Sequence, residues 1–141
     1  MILWDVNVLV NAAAPTQEHH GVATALIQQA INAPALFALS ELVLSAFVRI
    51  TTNPRIAPPR ALDDALAFCR DLRERPNAHI VAPGPRHWTI FEDLCVEVAA
   101  QGPSISDVYH AALAVESPVA TAFPRVVLHA AGWPMTVGVG D

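Results

Sequence analysis

Three acidic residues are placed where a carboxylate can do chemistry. Asp5 interrupts an apolar run at residues 2–10, Glu41 follows the apolar stretch 36–39, and Asp107 lies near the start of an amphipathic segment. An ionised carboxylate at the end of a buried strand is costly unless a cation or hydrogen bonds compensate it. The three acids therefore form a candidate site for a cation.

A cluster of such acids needs a bound cation or a proton, because two carboxylates about 4 Å apart repel by about 4 kcal/mol at an effective dielectric of about 20. Magnesium suits the cluster, since it prefers oxygen ligands, keeps several waters and is held by one or two carboxylates beside substrate phosphates. Water bound to such an ion becomes a nucleophile near neutral pH. The acids are thus compatible with metal-assisted chemistry on a phosphate group.

Each acid also has a structural explanation. Asp107 stands third after Ser104 in a Ser-x-x-Asp pattern, which caps helices. Glu41 falls in a first helical turn, where the helix dipole favours negative charge. Asp5 has the alternative role of a buried turn residue bonded to the backbone. These roles stay open beside metal binding.

Two further residues are candidates to support the acids. Asn7, two positions after Asp5, either orients that carboxylate or caps the following turn. Arg49 lies two turns after Glu41 on a similar face, and its candidate partners are a carboxylate, RNA or a structural ion partner. His110 lies one helical turn after Asp107, where it can approach a site, although no histidine has the spacing of a zinc motif.

Composition limits the class of protein. Hydrophobic residues make up 53% of the 141 residues and charged residues 15%, yet no apolar stretch reaches the length of about 20 residues that spans a bilayer. We therefore expect one domain without a membrane segment, with apolar surface covered by a second subunit or a partner. The net charge of −5 gives no general attraction to a polyanion, so any contact with nucleic acid must be local.

The elements that must position these residues alternate between short strands and helices. This alternation predicts an α/β domain whose mainly parallel central sheet is flanked by helices, with ligands beyond the carboxyl ends of the strands. We predict strands at 2–6, 36–39, 80–81, 126–128 and 135–137, a turn at 6–10 that leads into a helical segment, and helices at 21–32, 42–50, 62–72, 88–98 and 104–116.

Three segments within residues 1–117 carry a family resemblance. Residues 2–10 hold an apolar run followed by Asp-x-Asn, residues 39–55 read LSELVLSAFVRITTNPR, and residues 106–114 hold an Asp followed by an Ala-rich helix. In this order, the segments resemble the PIN-domain ribonucleases of the VapC type, the toxin half of bacterial toxin–antitoxin pairs. Residues 86–88, Arg-His-Trp, fit a link between helices in one subgroup.

The resemblance implies a single PIN-like domain over residues 1–141 that hydrolyses RNA phosphodiester bonds. It implies that Asp5, Glu41 and Asp107 are the catalytic acids and that Asn7 supports them. Asp5 and Asp107 would bind Mg²⁺, with Mn²⁺ as an alternative ion. The implied partners are RNA, a cognate antitoxin and a second copy of the chain. The N-terminus lacks the features of a signal peptide, which predicts cytoplasmic residence.

Two departures from the family pattern keep other functions open. In many relatives the second acid lies further into its helix, around the position of Ala46. The family's fourth acid has no counterpart in the atypical segment 117–141, because no Asp occurs between Asp107 and the terminal Asp141. The first alternative is a catalytically impaired PIN-fold protein that binds antitoxin or RNA without cutting. The second is an unrelated α/β ligand-binding domain with its acids scattered.

Overall fold

The computed structural model describes residues 2–56 and 58–117 and, as backbone only, 125–128 and 135–138. Within the atypical segment 117–141, residues 118–124, 129–134 and 139–141 lie outside the described residues. No helix in the described part of the chain has the length and apolar character needed to cross a bilayer. The elements are β1 (Ile2–Leu3), α1 (Val6–Ala13), α2 (His20–Asn32), β2 (Phe37–Ser40), α3 (Glu41–Thr51), α4 (Leu62–Arg73), β3 (Ala78–Val81), α5 (His87–Glu97), α6 (Ser104–Glu116), β4 (Arg125–Leu128) and β5 (Met135–Gly138).

Three strands form a parallel sheet in the order β1-β2-β3, and β4 pairs with β5 in a separate antiparallel pair. Leu3 is opposite Ala38, and Ser40 at the end of β2 is opposite Val81 at the end of β3. The predicted α/β class with a mainly parallel sheet is confirmed. Because the parallel strands share one direction, their carboxyl ends meet at one edge of the sheet.

Helices cover both faces of this sheet because successive side chains in a strand point to opposite sides. Phe37 and Leu39 join a buried cluster with residues of α1, α2, α3 and α4, whereas Ala38 joins a second cluster with residues of α6. Trp4 is 2% exposed and stacks on Phe37 in the first cluster, with the ring centroids 4.7 Å apart. The two clusters fix the helices that surround the carboxyl edge.

The first strand is shorter than predicted, since it ends at Leu3 rather than at residue 6. Asp5 is the N-cap of α1, and its Oδ1 accepts a hydrogen bond of 2.7 Å from the Val6 N–H. A side-chain oxygen that accepts a free backbone N–H favours the start of a helix. The apolar run therefore bends into α1 directly at the carboxylate.

The C-terminal end of α6 is held by the loop before α5. The two carboxylate oxygens of Glu116 accept hydrogen bonds of 2.7 and 2.8 Å from the backbone N–H groups of Gly84 and Arg86. Although burial raises the pKa of Glu116, these donors together with His87 and Arg86 lower it below its usual value. A Cβ at residue 84 would lie 2.6 Å from Glu116 Oε1, so a larger residue there would displace the carboxylate. We call this contact the Glu116 clamp.

Candidate active site

A cleft of about 350 Å³ opens at the carboxyl edge of the sheet, where α1, α3 and α6 come together. Open parallel sheets bind their ligands at this edge. The structure therefore brings Asp5, Asp107 and Arg49 of the predicted residues to one cleft. The lining consists of Asp5, Val6, Leu42, Val43, Ser45, Ala46, Arg49, Ser106, Asp107 and His110.

Asp5 is held in a fixed orientation at this cleft. Its Oδ1 accepts from the Val6 N–H, and its Oδ2 accepts a hydrogen bond of 2.9 Å from the side-chain amide of Asn7. Burial raises the pKa of Asp5 and the negative charge of Asp107 raises it further, against the opposing effect of the Val6 and Asn7 donors. A cation near Asp5 would offset both the burial and the repulsion.

Asp107 lies exposed at the cleft in the first turn of α6. This helix begins after Pro103 without a side-chain cap, and Ser104 Oγ instead exchanges hydrogen bonds of 2.9 Å with the backbone of Gln101. The capping explanation for Asp107 is therefore wrong. Its carboxylate is available for a ligand in the cleft.

Glu41 does not line the cleft. Its Oε1 forms an ion pair of 2.9 Å with Nη1 of Arg73 on α4, and its side chain is 69% exposed. Ser40 caps α3, because its Oγ accepts a hydrogen bond of 3.2 Å from the Val43 N–H. Glu41 thus occupies the first helical position, and its catalytic role stays a prediction from the resemblance.

The helical phase of α3 explains this placement. Leu42, Ser45, Ala46 and Arg49 line the cleft, and their spacing of i, i+3, i+4 and i+7 defines one face of a helix. Glu41 precedes this face by one residue. Ala46, around whose position many relatives carry the second acid, lies on it. Within the described part of the chain, the Arg49 guanidinium forms no ion pair, so the expected structural partner is not found there.

His110 also lines the cleft, a position that its sequence pattern only weakly indicated. It is 4% exposed, and neither ring nitrogen has a hydrogen-bond partner among the described residues. Burial lowers the pKa of its ring to about 4, against a smaller opposing effect of a weak hydrogen-bonding contact with the Trp4 backbone. Leaving a buried polar group unpaired costs about 1–3 kcal/mol. The only signal in the sequence was its spacing of three residues from Asp107.

The donors in the cleft fit a hydrated divalent ion. No group of three or more His, Cys, Asp or Glu side chains among the described residues is arranged to hold a metal. Asp5 and Asp107 nevertheless supply two carboxylates that lie close enough to interact electrostatically. Mg²⁺ is commonly bound through one or two carboxylates and otherwise keeps its waters. These two acids would hold such an ion.

Sequence comparison relates the chain to bacterial ribonucleases. It is 37% identical over 119 residues to Ribonuclease VapC25 of Mycobacterium tuberculosis, a match that covers 82% of each chain. It is 35% identical over 118 residues to Ribonuclease VapC43 of the same species, which covers 83% of this chain and 80% of the relative. The chain belongs to the VapC ribonuclease family. No protein-family model matches it.

Solved VapC structures share the fold. VapC20 of M. tuberculosis, a sarcin-ricin loop cleaving toxin, superposes with a TM-score of 0.66 at 14% identity, covering 94% of this chain and 92% of that one. VapBC2 of Rickettsia felis, solved with a DNA fragment from its promoter, gives a TM-score of 0.55 at 15% identity, covering 82% and 81%. The VapC resemblance and the PIN-like fold that it implied are confirmed.

Proposed function

We propose that this VapC family member is a toxin that cleaves RNA by hydrolysing phosphodiester bonds with the help of Mg²⁺, or Mn²⁺, bound at Asp5 and Asp107. The observation that carries the proposal is that the carboxylates of Asp5 and Asp107 line one cleft at the carboxyl edge of the sheet. Membership of a ribonuclease family supports the choice of RNA as substrate.

The chain contributes orientation and charge to this reaction. Asn7 and the Val6 N–H fix the Asp5 carboxylate, and Asp107 faces the same cleft from α6. When bound, the ion supplies an activated water and stabilises charge on a phosphoryl oxygen. Arg49 binds the substrate phosphate, since a guanidinium presents donors that match phosphate geometry. This local cation offsets the unfavourable net charge of −5.

The proposal extends to partners. Val96 and Val98 of the α5 region are 82% and 55% exposed, and Leu62 and Leu66 on α4 are 55% and 42% exposed. Large exposed apolar patches are uncommon on monomeric proteins and indicate contact surfaces. We infer that these side chains are covered in a homodimer and by a cognate antitoxin. The toxin would act on RNA in the cytoplasm.

The proposal is tested by the metal dependence of RNA cleavage. We expect the purified chain to cut RNA in Mg²⁺ or Mn²⁺, to lose this activity in excess EDTA, and to regain it when Mg²⁺ is added beyond the chelator. Gel analysis of an end-labelled RNA measures the cuts. An Asp107→Asn protein purified in parallel controls for contaminating nuclease. A chain that binds RNA and leaves it intact at every metal concentration would favour the catalytically impaired alternative.

A third carboxylate in the cleft is expected to strengthen metal binding. Ala46 lies on the cleft face of α3, so Ala46→Glu adds an oxygen ligand beside Asp5 and Asp107. We expect the affinity for Mn²⁺, measured by calorimetry, to rise about tenfold or more. Ala25→Glu introduces the same residue at an exposed position of α2 and serves as the matched control. Equal affinities for the two variants would contradict a metal site at this cleft.

A further inference from the structure

A buried histidine lines the cleft. His110 belongs to the cleft lining and is 4% exposed, and neither ring nitrogen makes a well-formed hydrogen bond among the described residues, the contact with the Trp4 backbone being a weak one. Buried polar side-chain atoms nearly always have such a partner, either in the protein or in an ordered water. An unpaired imidazole in a cleft therefore indicates a polar ligand.

The position of His110 on α6 connects it to the two acids. It follows Asp107 by three residues, so both side chains lie on the same face of the helix. The ring makes a weak hydrogen-bonding contact with the backbone of Trp4, the residue before Asp5. His110 thus connects the helix that carries Asp107 to the segment that carries Asp5.

We propose that His110 positions the hydration shell of the metal ion, through a ring nitrogen that accepts a hydrogen bond from one of the waters on the ion. The ring would act through a water on the ion rather than as a direct ligand, because Mg²⁺ prefers oxygen ligands. Mg²⁺ keeps several of its waters in proteins. This inference rests on the proposed metal site at Asp5 and Asp107.

The assignment gives His110 a role that the acids do not supply. Asp5 and Asp107 are the only carboxylates among the described residues that line the cleft. A neutral nitrogen acceptor gives the hydrated ion one more hydrogen-bond partner without adding negative charge. Hydrogen-bond partners around a metal centre commonly change its affinity about 10- to 100-fold.

His87 provides a matched control within the same chain. It is also 4% exposed, and neither ring nitrogen has a hydrogen-bond partner among the described residues, although its Nδ1 lies 3.9 Å from Glu116 Oε2. Its ring packs edge-on against Tyr109, with the ring centroids 4.4 Å apart, and it does not line the cleft. A general effect of removing a buried histidine would appear in both positions.

The experiment is a calorimetric titration of the full chain with Mn²⁺, which measures the affinity for the ion. We expect His110→Ala to weaken Mn²⁺ binding about 10- to 100-fold, and His110→Gln to recover part of the affinity because its amide keeps a hydrogen-bonding group. His87→Ala should bind Mn²⁺ as the wild type does. Circular dichroism without metal checks that each variant is folded.

Wild-type protein with ¹⁵N-labelled histidine gives a measurement that needs no folded variant. Adding Mg²⁺ should shift the ring-nitrogen resonances of His110 and leave those of His87 in place. Wild-type affinity in His110→Ala, an equal loss in His87→Ala, or a His110 ring insensitive to Mg²⁺ would overturn the inference.

Asp107→Asn separates this failure from a failure of the metal site. If Asp107→Asn loses Mn²⁺ binding while His110→Ala keeps it, only the role of His110 is overturned. If Asp107→Asn binds Mn²⁺ as tightly as the wild type, the proposed site itself is wrong and the inference falls with it.

Discussion

Asp107→Asn is expected to lower the rate of RNA cleavage at least about 100-fold, more than the loss of a hydrogen-bond partner around a metal site usually costs. The substitution removes one of two carboxylates in the cleft while keeping the size of the side chain. Asp107 caps no helix and is exposed, so the fold should be unaffected. Cleavage of a defined RNA at saturating Mg²⁺ measures the rate.

Asp71→Asn is the matched control for this prediction, since it makes the same chemical change at an exposed position of α4 outside the cleft. We expect it to cleave RNA at the wild-type rate. Glu41→Gln in the same assay tests the catalytic role that the resemblance implies for Glu41. Comparable rates for Asp107→Asn and Asp71→Asn would exclude Asp107 from the reaction.

Trp4→Ala is expected to destabilise the protein by about 3–5 kcal/mol, the usual cost of removing a large aromatic side chain from a core. Trp4 is 2% exposed, stacks on Phe37, and belongs to the cluster between the sheet and the first four helices. This loss is a large part of the total free energy of unfolding of a typical domain, which is about 5–15 kcal/mol. Urea unfolding followed by circular dichroism measures the free energy of unfolding.

Trp88→Ala removes the same side chain from the surface of α5, where it is 60% exposed and contacts Phe91. We expect its free energy of unfolding to change by about 0.5 kcal/mol or less, as is usual for surface substitutions. If Trp4→Ala is too unstable to purify, Trp4→Phe removes less of the side chain at the same position and should lower the free energy of unfolding by a smaller amount. Equal destabilisation at both tryptophans would contradict the burial of Trp4.

Hydrophobic periodicity was sufficient to predict most elements of the fold. The segments 62–72 and 104–116 were expected as helices and form α4 and α6 with nearly the same bounds. The end of β1 was misplaced because it depends on the hydrogen bond between Asp5 and Val6, which hydropathy does not report. The end of β1 could therefore not be predicted from hydropathy alone, because the capping hydrogen bond of Asp5 determines where α1 begins.

The site was predictable to the extent that it follows from topology. Asp5 and Asp107 were expected at a strand end and near a helix start, and the parallel sheet brings both to its carboxyl edge. Glu41 lies one residue before the first cleft-facing position of α3 and so misses the cleft. The predicted bounds of this helix were too imprecise to show which of its residues would face the cleft. The burial of His110 depends on how α6 packs against the sheet, and a single sequence does not contain that information.

The Glu116 clamp links the loop before α5 to the helix that lines the cleft. Backbone donors at Gly84 and Arg86 anchor the last turn of α6 one residue before Ser117. The C-terminal end of the helix that presents Asp107 and His110 is therefore tied to the loop before α5. We expect a change in residues 84–86 to alter the cleft through α6, although none of these residues lines it.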